Sequence, residues 1–138
     1  MTEDDRIRDI LTSVKTIALV GWSPKPDRPS HGVANYLSRH GYRVIPVNPG
    51  QTGQMVNGVE VRASLADINE AVDMVDIFRR SEEAGAVVDE ALAAFPDLKA
   101  VWMQLGVRDD AAAARAEARK VQAVMNHCPA IEIPRLGI

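Results

Sequence analysis

The sequence is poor in the residues that would build a disulfide framework, a membrane span or a basic surface. Cys128 is the single cysteine, which excludes an internal disulfide bond and a cysteine-rich metal site. Sixteen Lys and Arg stand against nineteen Asp and Glu, and the formal net charge of -3 argues against a nonspecific grip on nucleic acid. No apolar run approaches the ~20 residues that span a bilayer, and the charged residues from Glu3 onward are not typical of a signal peptide. We therefore expect a reduced, cytoplasmic protein that binds neither nucleic acid nor membrane.

The length and composition are those of one globular domain. With 138 residues, of which 46% are hydrophobic and 25% charged, the chain can bury a core without disulfide or metal staples. Near the N-terminus, Thr2 can cap a helix whose apolar residues recur at helical spacing from Ile7 to Val14. We expect residues 1–138 to form a single domain, with a helix within residues 1–15 packed on it.

Apolar runs of strand length alternate with stretches of helical spacing along the chain. Such alternation is typical of βαβ units, which build a mainly parallel sheet with right-handed crossovers. The sequence therefore predicts an α/β fold, a Rossmann-like three-layer sandwich with a five-stranded sheet of order 3-2-1-4-5. Its strands are predicted at 16–20, 43–47, 73–78, 99–104 and 130–133, with a further short strand at 58–61. Helices are predicted at 30–41, 64–70, 81–95 and 109–126.

The loop after the first predicted strand is rich in groups that bind phosphate. Ligands in open α/β sheets bind beyond the carboxyl ends of the strands, at the switch point of the strand order, and this loop lies there. Gly21 permits a tight turn. The backbone amides of the loop can surround an anion together with the start of the next helix, which has Ser30 as its N-cap. The polar and basic side chains of the loop are Ser23, Lys25, Arg28, Ser30 and His31. The alternative is a proline-stiffened surface connection whose charges are only solvated.

Two missing motifs narrow the choice of ligand. The dinucleotide fingerprint G-x-G-x-x-G is absent, because the next glycine after Gly21 is Gly32, and no Walker A loop is present. The second strand ends in Asn48 rather than in the Asp or Glu that would bind a ribose diol. What remains is a phosphate site that suits a nucleotide with an extra phosphate. Arg79 and Arg80 flank it, and we expect one of them to hold a phosphate while the other pairs with a nearby Glu or faces solvent.

Five blocks in the same order resemble the small stand-alone CoA-binding proteins, which are related to the CoA-binding domain of the succinyl-CoA synthetase alpha subunit. The blocks lie at 20–33, 41–49, 75–82, 101–107 and 128–136. Together they extend over nearly the whole chain after Lys15. The resemblance implies a Rossmann-like fold and non-covalent binding of coenzyme A by the single domain.

The resemblance also implies which residues touch the nucleotide. The implied contacts are Gly21, Trp22, Ser23, Pro24, Arg28, Ser30, Asn48, Pro49, Phe78, Arg79 and Arg80. From the residues themselves we add the loop groups Lys25 and His31, and Gln104 at the end of the fourth strand, which borders the switch point. Trp22 is bulky where the family pattern has a small or aliphatic residue. This leaves open whether it stacks on adenine or narrows the pocket.

No set of residues in the sequence predicts catalysis. The three histidines, His31, His40 and His127, form no Ser–His–Asp or Cys–His arrangement that spacing alone can identify. Cys128 is expected to be a buried inert thiol, with a mixed disulfide to CoA as the alternative. Asp76, within an apolar strand, is expected to be a capped or paired structural acid.

Three hypotheses follow, and they differ in class. The first is a module that binds CoA or acyl-CoA without catalysis of its own. The second is an NAD(P)-dependent oxidoreductase, which the two missing dinucleotide signals oppose. The third is a CoA-binding subunit of a separately encoded acyl-CoA synthetase. The acyl group, the pathway and the oligomeric state are not determined by the sequence, although an oligomer and a partner enzyme are both compatible with it.

Overall fold

Parallel strands lie at the centre of the structure, and helices flank them on both sides. The computed structural model describes residues 1–138. The strands are β1 Thr16–Val20, β2 Arg43–Val47, β3 Met55–Val56, β4 Val59–Glu60, β5 Met74–Ile77, β6 Ala100–Met103 and β7 Gln122–Val124. The helices are α1 Glu3–Ser13, α2 Pro29–Arg39, α3 Ser81–Ala94, α4 Asp110–Ala118 and α5 Pro129–Leu136. None of these helices combines the length and apolar character needed to cross a membrane.

The main sheet has the order β2-β1-β5-β6-β7, with every pairing parallel. The segment after β4 adds a parallel bridge between Arg62 and Val47, on the outer side of β2. When this segment is counted as the third strand, the order reads 3-2-1-4-5 before the last edge strand. The predicted fold class is therefore confirmed, and the predicted order differs from the observed one in numbering only.

The two faces of the sheet bury separate apolar clusters. One cluster joins β1, β5 and β6 to α3 and α4, through residues such as Val75 and Val88. The other joins the opposite face of the same strands to α1, α2 and α5, through residues such as Leu19 and Leu37. Thr2 caps α1 in a capping box with Asp5, as the sequence predicts. The three layers follow from strands that are buried on both faces.

The C-terminal quarter corrects two predictions. The helix predicted to reach Asn126 ends at Ala118, and β7 occupies part of the remaining stretch. The strand predicted at 130–133 is instead part of α5. Pro129 stands at the first position of this helix, where its fixed φ favours a helical start. An alternating apolar pattern over four residues does not distinguish a short strand from an amphipathic helix turn.

Smaller differences concern helix starts and the edge strand. α2 is capped by Arg28 and begins at Pro29, so the prediction of Ser30 as its N-cap is wrong by two residues. The helix predicted at 64–70 is only a 3-10 turn at Leu65–Asp67. Pro46 lies in β2, which pairs with β1 alone among the long strands, so the missing N–H of the proline costs no ladder bond to a second strand.

Candidate ligand-binding site

A cavity of about 380 Å³ lies at the carboxyl ends of β1, β2 and β5. The chain leaves β1 to form β2 on one side and then crosses to form β5 on the other, so this is the switch point of the sheet. The residues that line the cavity are Gly21, Trp22, Ser23, Lys25, Arg28, Pro29, Ser30, Asn48, Phe78 and Arg79. None of them is acidic. An anion in this cavity therefore meets no carboxylate on its walls.

Nine of the predicted site residues line this cavity, and the others lie beside it or away from it. The nine are all of the lining residues except Pro29. The predicted residues outside the lining are Pro24, His31, Pro49, Arg80 and Gln104. Pro29 is the one lining residue that is not among the predicted contacts. A sequence signal for the helix start at Pro29 exists, because proline is favoured at the first position of a helix.

Gly21 is the one position of the loop where no side chain fits. Its φ of +91° is in the region that glycine favours, and a Cβ built there would lie 2.2 Å from the carbonyl oxygen of Phe78. The amides of Gly21 and Trp22 both donate to the Val47 carbonyl oxygen, at 3.1 Å and 3.3 Å. These two amides are therefore used to close the turn, and the expectation that they hold an anion is not supported by their geometry.

Three other amides of the cavity wall have no acceptor in the protein. The N–H groups of Ser23, Ser30 and Arg79 make no intramolecular hydrogen bond, and all three residues line the cavity. Ser30 lies in the first turn of α2, whose N-terminus carries a partial positive charge. These amides, together with the helix end, provide donors of the kind that bind phosphate.

The basic residues around the cavity differ in whether a carboxylate already neutralises them. Lys25 and Arg28 make no ion pair. By contrast, Arg79 and Arg80 both bind Glu83, with N···O distances of 2.7 Å and 2.9 Å. Hydrogen bonds from Arg80 and then Arg79 hold the pKa of the Glu83 carboxyl below its usual value, so the group is a stable anion. Arg79 lines the cavity with its charge paired to Glu83, whereas Lys25 and Arg28 line it without a carboxylate partner.

Asn48 fastens two loops of the site to each other. Its Nδ2 donates to the Trp22 carbonyl oxygen at 2.6 Å, and its Oδ1 accepts from the Gly50 amide at 2.8 Å. A carboxylate at this position could not donate to the Trp22 carbonyl. The neutral amide that the sequence places here instead of an acid thus has a structural role in holding the loop, independent of any ligand.

The ring of Trp22 faces the protein interior. Its side chain is buried in the apolar cluster shared with α1, α2 and α5, and it stacks on His31 with ring centroids 6.0 Å apart. His31 in turn uses Nδ1 to contact the Ser23 carbonyl oxygen at 3.1 Å. The buried indole offers no open face for stacking on adenine, so Trp22 borders the cavity mainly through its backbone. His31 supports the loop from behind.

Asp76 corrects another prediction. The side chain is fully buried in β5, yet neither carboxyl oxygen has a hydrogen-bond partner within the protein. The expected capping or pairing partner is therefore absent. Burial alone raises the pKa of this carboxyl well above its usual value. Cys128 agrees with expectation as a buried free thiol at the N-cap of α5.

Comparisons with known proteins identify the family. Residues 15–134 match the family described as CoA binding domain, and the chain belongs to that family. It is similar to the uncharacterized protein YneT of Bacillus subtilis, with 37% identity over 122 residues, which are 88% of this chain and 87% of the relative.

Solved structures show the same architecture. A hypothetical protein from Pyrococcus horikoshii OT3 has a TM-score of 0.89 and 36% identity, covering 99% of this chain and 94% of that one. The dinucleotide-forming acetyl-coenzyme A synthetase 1 of Candidatus Korarchaeum cryptofilum, in complex with phosphate and ADP, has a TM-score of 0.66 and 21% identity. That match covers 79% of this chain and 25% of the synthetase chain. At this identity the likeness establishes the shared fold alone.

Proposed function

We propose that this chain binds coenzyme A, or an acyl-CoA, in the cavity between Gly21 and Arg79 and has no catalytic group of its own there. The observation that carries the proposal is the set of unused donors on the cavity wall. Lys25 and Arg28 lack ion pairs, and the Ser23 and Ser30 amides lack acceptors. Membership of a CoA-binding family supports the same ligand.

The charge of the cavity favours a nucleotide with several phosphates over one whose ribose diol is bound by an acidic residue. The lining contains three cationic side chains and no carboxylate. A ribose diol needs an acid at the end of β2, and that place is taken by Asn48, whose amide already bonds the neighbouring loops. CoA carries a 3′-phosphate on its ribose, and such a group is attracted by unshared positive charge rather than repelled.

Calorimetric titration of the full chain tests the proposal. We expect CoA to bind more tightly than dephospho-CoA, and we expect Arg28→Ala to weaken CoA binding by about 1–3 kcal/mol, the loss typical of a charged hydrogen bond. Arg39→Ala is the matched control, because Arg39 is an exposed, unpaired arginine at the other end of α2. Equal losses in the two variants would mean that only net charge matters. Equal affinity for CoA and dephospho-CoA would remove the argument from the extra phosphate.

The oxidoreductase alternative predicts a different result in a thermal-shift assay. If the cavity served a nicotinamide cofactor, NADH or NADPH would raise the melting temperature while CoA would not, because a ligand stabilises only the protein that binds it. A thermal-shift comparison of the three compounds at equal concentration therefore separates the two functions. We expect CoA to give the larger shift.

A partner enzyme is a second candidate role. The fold of this chain also makes up about a quarter of an acetyl-coenzyme A synthetase chain. A free-standing copy of such a domain can supply bound CoA to separately encoded catalytic domains. Affinity purification of the tagged chain from its native host tests this, and recovery of a stoichiometric acyl-CoA-forming enzyme is the supporting result. Recovery of the chain alone, still loaded with CoA, would favour a stand-alone carrier or sensor.

A further inference from the structure

Three polar side chains are buried behind the candidate site without any partner in the protein. They are the indole Nε1 of Trp22, both carboxyl oxygens of Asp76 and the amide Oε1 of Gln104. Their exposed fractions are 2%, 0% and 5%. Most buried polar groups in proteins are hydrogen-bonded, so three unpartnered ones on adjacent segments call for a common explanation.

Asp76 and Gln104 occupy neighbouring places on one face of the sheet. Asp76 lies in register with Leu19 of β1 and with Trp102 of β6. Gln104 follows Trp102 by two residues, and its amide continues the ladder by donating to the Ile77 carbonyl at 3.2 Å. Side chains two apart on a strand share a face, which places the Cα atoms of Asp76 and Gln104 about 8 Å apart at ordinary strand spacing.

Trp22 reaches the same region from the other neighbour of β5. It follows β1 by two residues, and its ring belongs to the apolar cluster that contains Leu19 and Trp102. Asp76 therefore has a segment carrying an unpartnered donor on one side and a strand carrying an unpartnered acceptor on the other.

The hydrogen-bonding capacities of the three groups are complementary. An indole N–H only donates and the Gln104 Oε1 only accepts, whereas a protonated carboxyl does both. An ionised carboxylate at Asp76 would be a buried charge with no cation beside it, which is far more costly. Burial raises the pKa of Asp76 accordingly, so the neutral acid is the form that fits the donors and acceptors around it.

We propose that Trp22, Asp76 and Gln104 form the polar wall of an enclosed hydration site, and that water bound there fixes the Trp22 ring and with it the loop of the candidate CoA site. A buried water typically makes about three hydrogen bonds to otherwise unsatisfied groups, and this wall supplies two kinds of acceptor and two kinds of donor. The link to ligand binding rests on the proposed function, while the hydration site itself does not.

Trp22 attaches the loop to the neighbouring segment through its own backbone N–H and carbonyl groups. The Trp22 amide donates to the Val47 carbonyl, and the Trp22 carbonyl accepts from Asn48. A third anchor on the indole N–H would define the ring as well, and His31 stacks on that ring. Loss of the anchor would free the ring to move against His31, which contacts the Ser23 carbonyl oxygen, and we expect the Ser23 amide on the cavity wall to shift with it.

NMR of the ¹⁵N-labelled full chain tests the hydration site without any ligand. The chain has two indole N–H signals, and Trp22→Phe assigns one of them. The other signal is that of Trp102, whose Nε1 already donates to the His127 carbonyl at 2.8 Å. Because Trp102 stands in register with Asp76, its signal measures the direct effect of the substitution on a neighbouring ring. We expect Asp76→Leu to move the Trp22 indole signal and the Ser23 amide signal, and Asp76→Asn, which keeps a neutral donor and acceptor, to move them less. Unmoved signals in Asp76→Leu would overturn the proposal.

A crystal structure with ordered solvent gives a direct second test. We expect at least one water within hydrogen-bond distance of two of the three groups. A direct hydrogen bond between Trp22 and Asp76 with no water beside it, or apolar side chains packed against all three groups with no ordered water, would overturn the hydration site. If Asp76→Leu does not fold, this measurement on the unaltered chain and the indole signal of Asp76→Asn still decide the question.

The consequence for ligand binding is measured separately. We expect Asp76→Leu to weaken CoA binding about tenfold, the effect of losing one hydrogen bond of ordinary strength, while Asp76→Asn retains most of the affinity. Equal affinity in Asp76→Leu and the unaltered chain would overturn the role in positioning the loop. If the unaltered chain bound no CoA, the proposed function would fail, and the NMR and crystallographic results would still stand or fall independently.

Discussion

The carboxyl group of Asp76 makes stability depend on pH in a direction opposite to that of a paired acid. Because burial raises its pKa in the folded chain, the folded state keeps a proton that the unfolded state releases above an ordinary Asp pKa of about 4. The favourable contribution is fully present below that pH and is lost progressively as pH rises toward the raised, folded-state pKa. Asp76→Asn cannot titrate, so it removes this loss.

The magnitude follows from one proton per molecule. One proton corresponds to about 1.4 kcal/mol per pH unit, so above an ordinary Asp pKa of about 4 the free energy of unfolding of Asp76→Asn should rise relative to the unaltered chain by up to about that amount per pH unit, until the pH reaches the raised pKa of the folded state. The comparison cancels the titration of all other groups, provided that they are unchanged. Whatever constant offset the amide introduces does not affect this slope.

Urea unfolding at a series of pH values measures the slope. Asp97→Asn is the control for the same change of side chain at an exposed position without an ion pair or side-chain hydrogen bond. The dependence of unfolding free energy on urea should stay equal in all three proteins, since the surface exposed on unfolding is the same. A difference between Asp76→Asn and the unaltered chain that is constant across pH would mean that the folded protein holds an ionised Asp76, and the reasoning would be refuted.

Three further substitutions test the geometry of the site and of the C-terminal helix. Gly21→Ala should destabilise the fold strongly in urea unfolding, because its Cβ would overlap the Phe78 carbonyl, whereas Gly32→Ala meets nothing within 4 Å and should be nearly neutral. Asn48→Ala should weaken CoA binding in calorimetry and lower the melting temperature only slightly, since it frees the loop that contains Trp22. An affinity equal to that of the unaltered chain would contradict this role. Arg135→Ala should lower the melting temperature, because the buried Glu132 carboxylate on α5 loses its guanidinium partner; an unchanged melting temperature would show that another group satisfies it.

The central strands were predictable because their burial leaves a clear signal in the sequence. β1 is a continuous apolar run that ends at Gly21, and β5 and β6 are similar runs before polar residues. Strands of a covered parallel sheet read in this way since both faces pack against helices. The position of the cavity then followed from topology, because the loop after β1 lies at the switch point whatever the details of its side chains.

The edge of the sheet was not predictable in the same way. β7 has only three residues, and it follows an alanine-rich helix closely enough for the two to look like one helical stretch. Its pairing with β6 depends on contacts that are distant in the sequence. The start of α5 had a local signal in Pro129, but the four residues after it alternate in the manner of a strand, and the tertiary environment decided between them.

The division of labour within the site also lies beyond the sequence. The sequence predicts that one of Arg79 and Arg80 holds a phosphate while the other pairs with a Glu or faces solvent, and it does not distinguish Lys25 and Arg28 from them as phosphate ligands. The structure separates them, because Glu83 binds the two arginines after β5 and leaves the loop pair unshared. Such differences depend on side-chain geometry across elements, and a sequence pattern records only that the charges are present.

The anion-binding capacity of the site is what remains after the fold has used its other donors. The amides nearest the glycine turn close that turn onto Val47, and Glu83 takes the guanidinium groups beyond β5. Most of the unused groups lie between Ser23 and Ser30, on the segment that leads into α2, and the Arg79 amide adds one donor from the other side of the cavity. In the proposed function Gly21 therefore acts by allowing two backbones to approach, while charge and hydrogen bonds for the ligand come from later residues. Substitutions at Gly21 should accordingly act through folding, and substitutions at Arg28 through the salt dependence of affinity, because unshared surface charges are screened by salt.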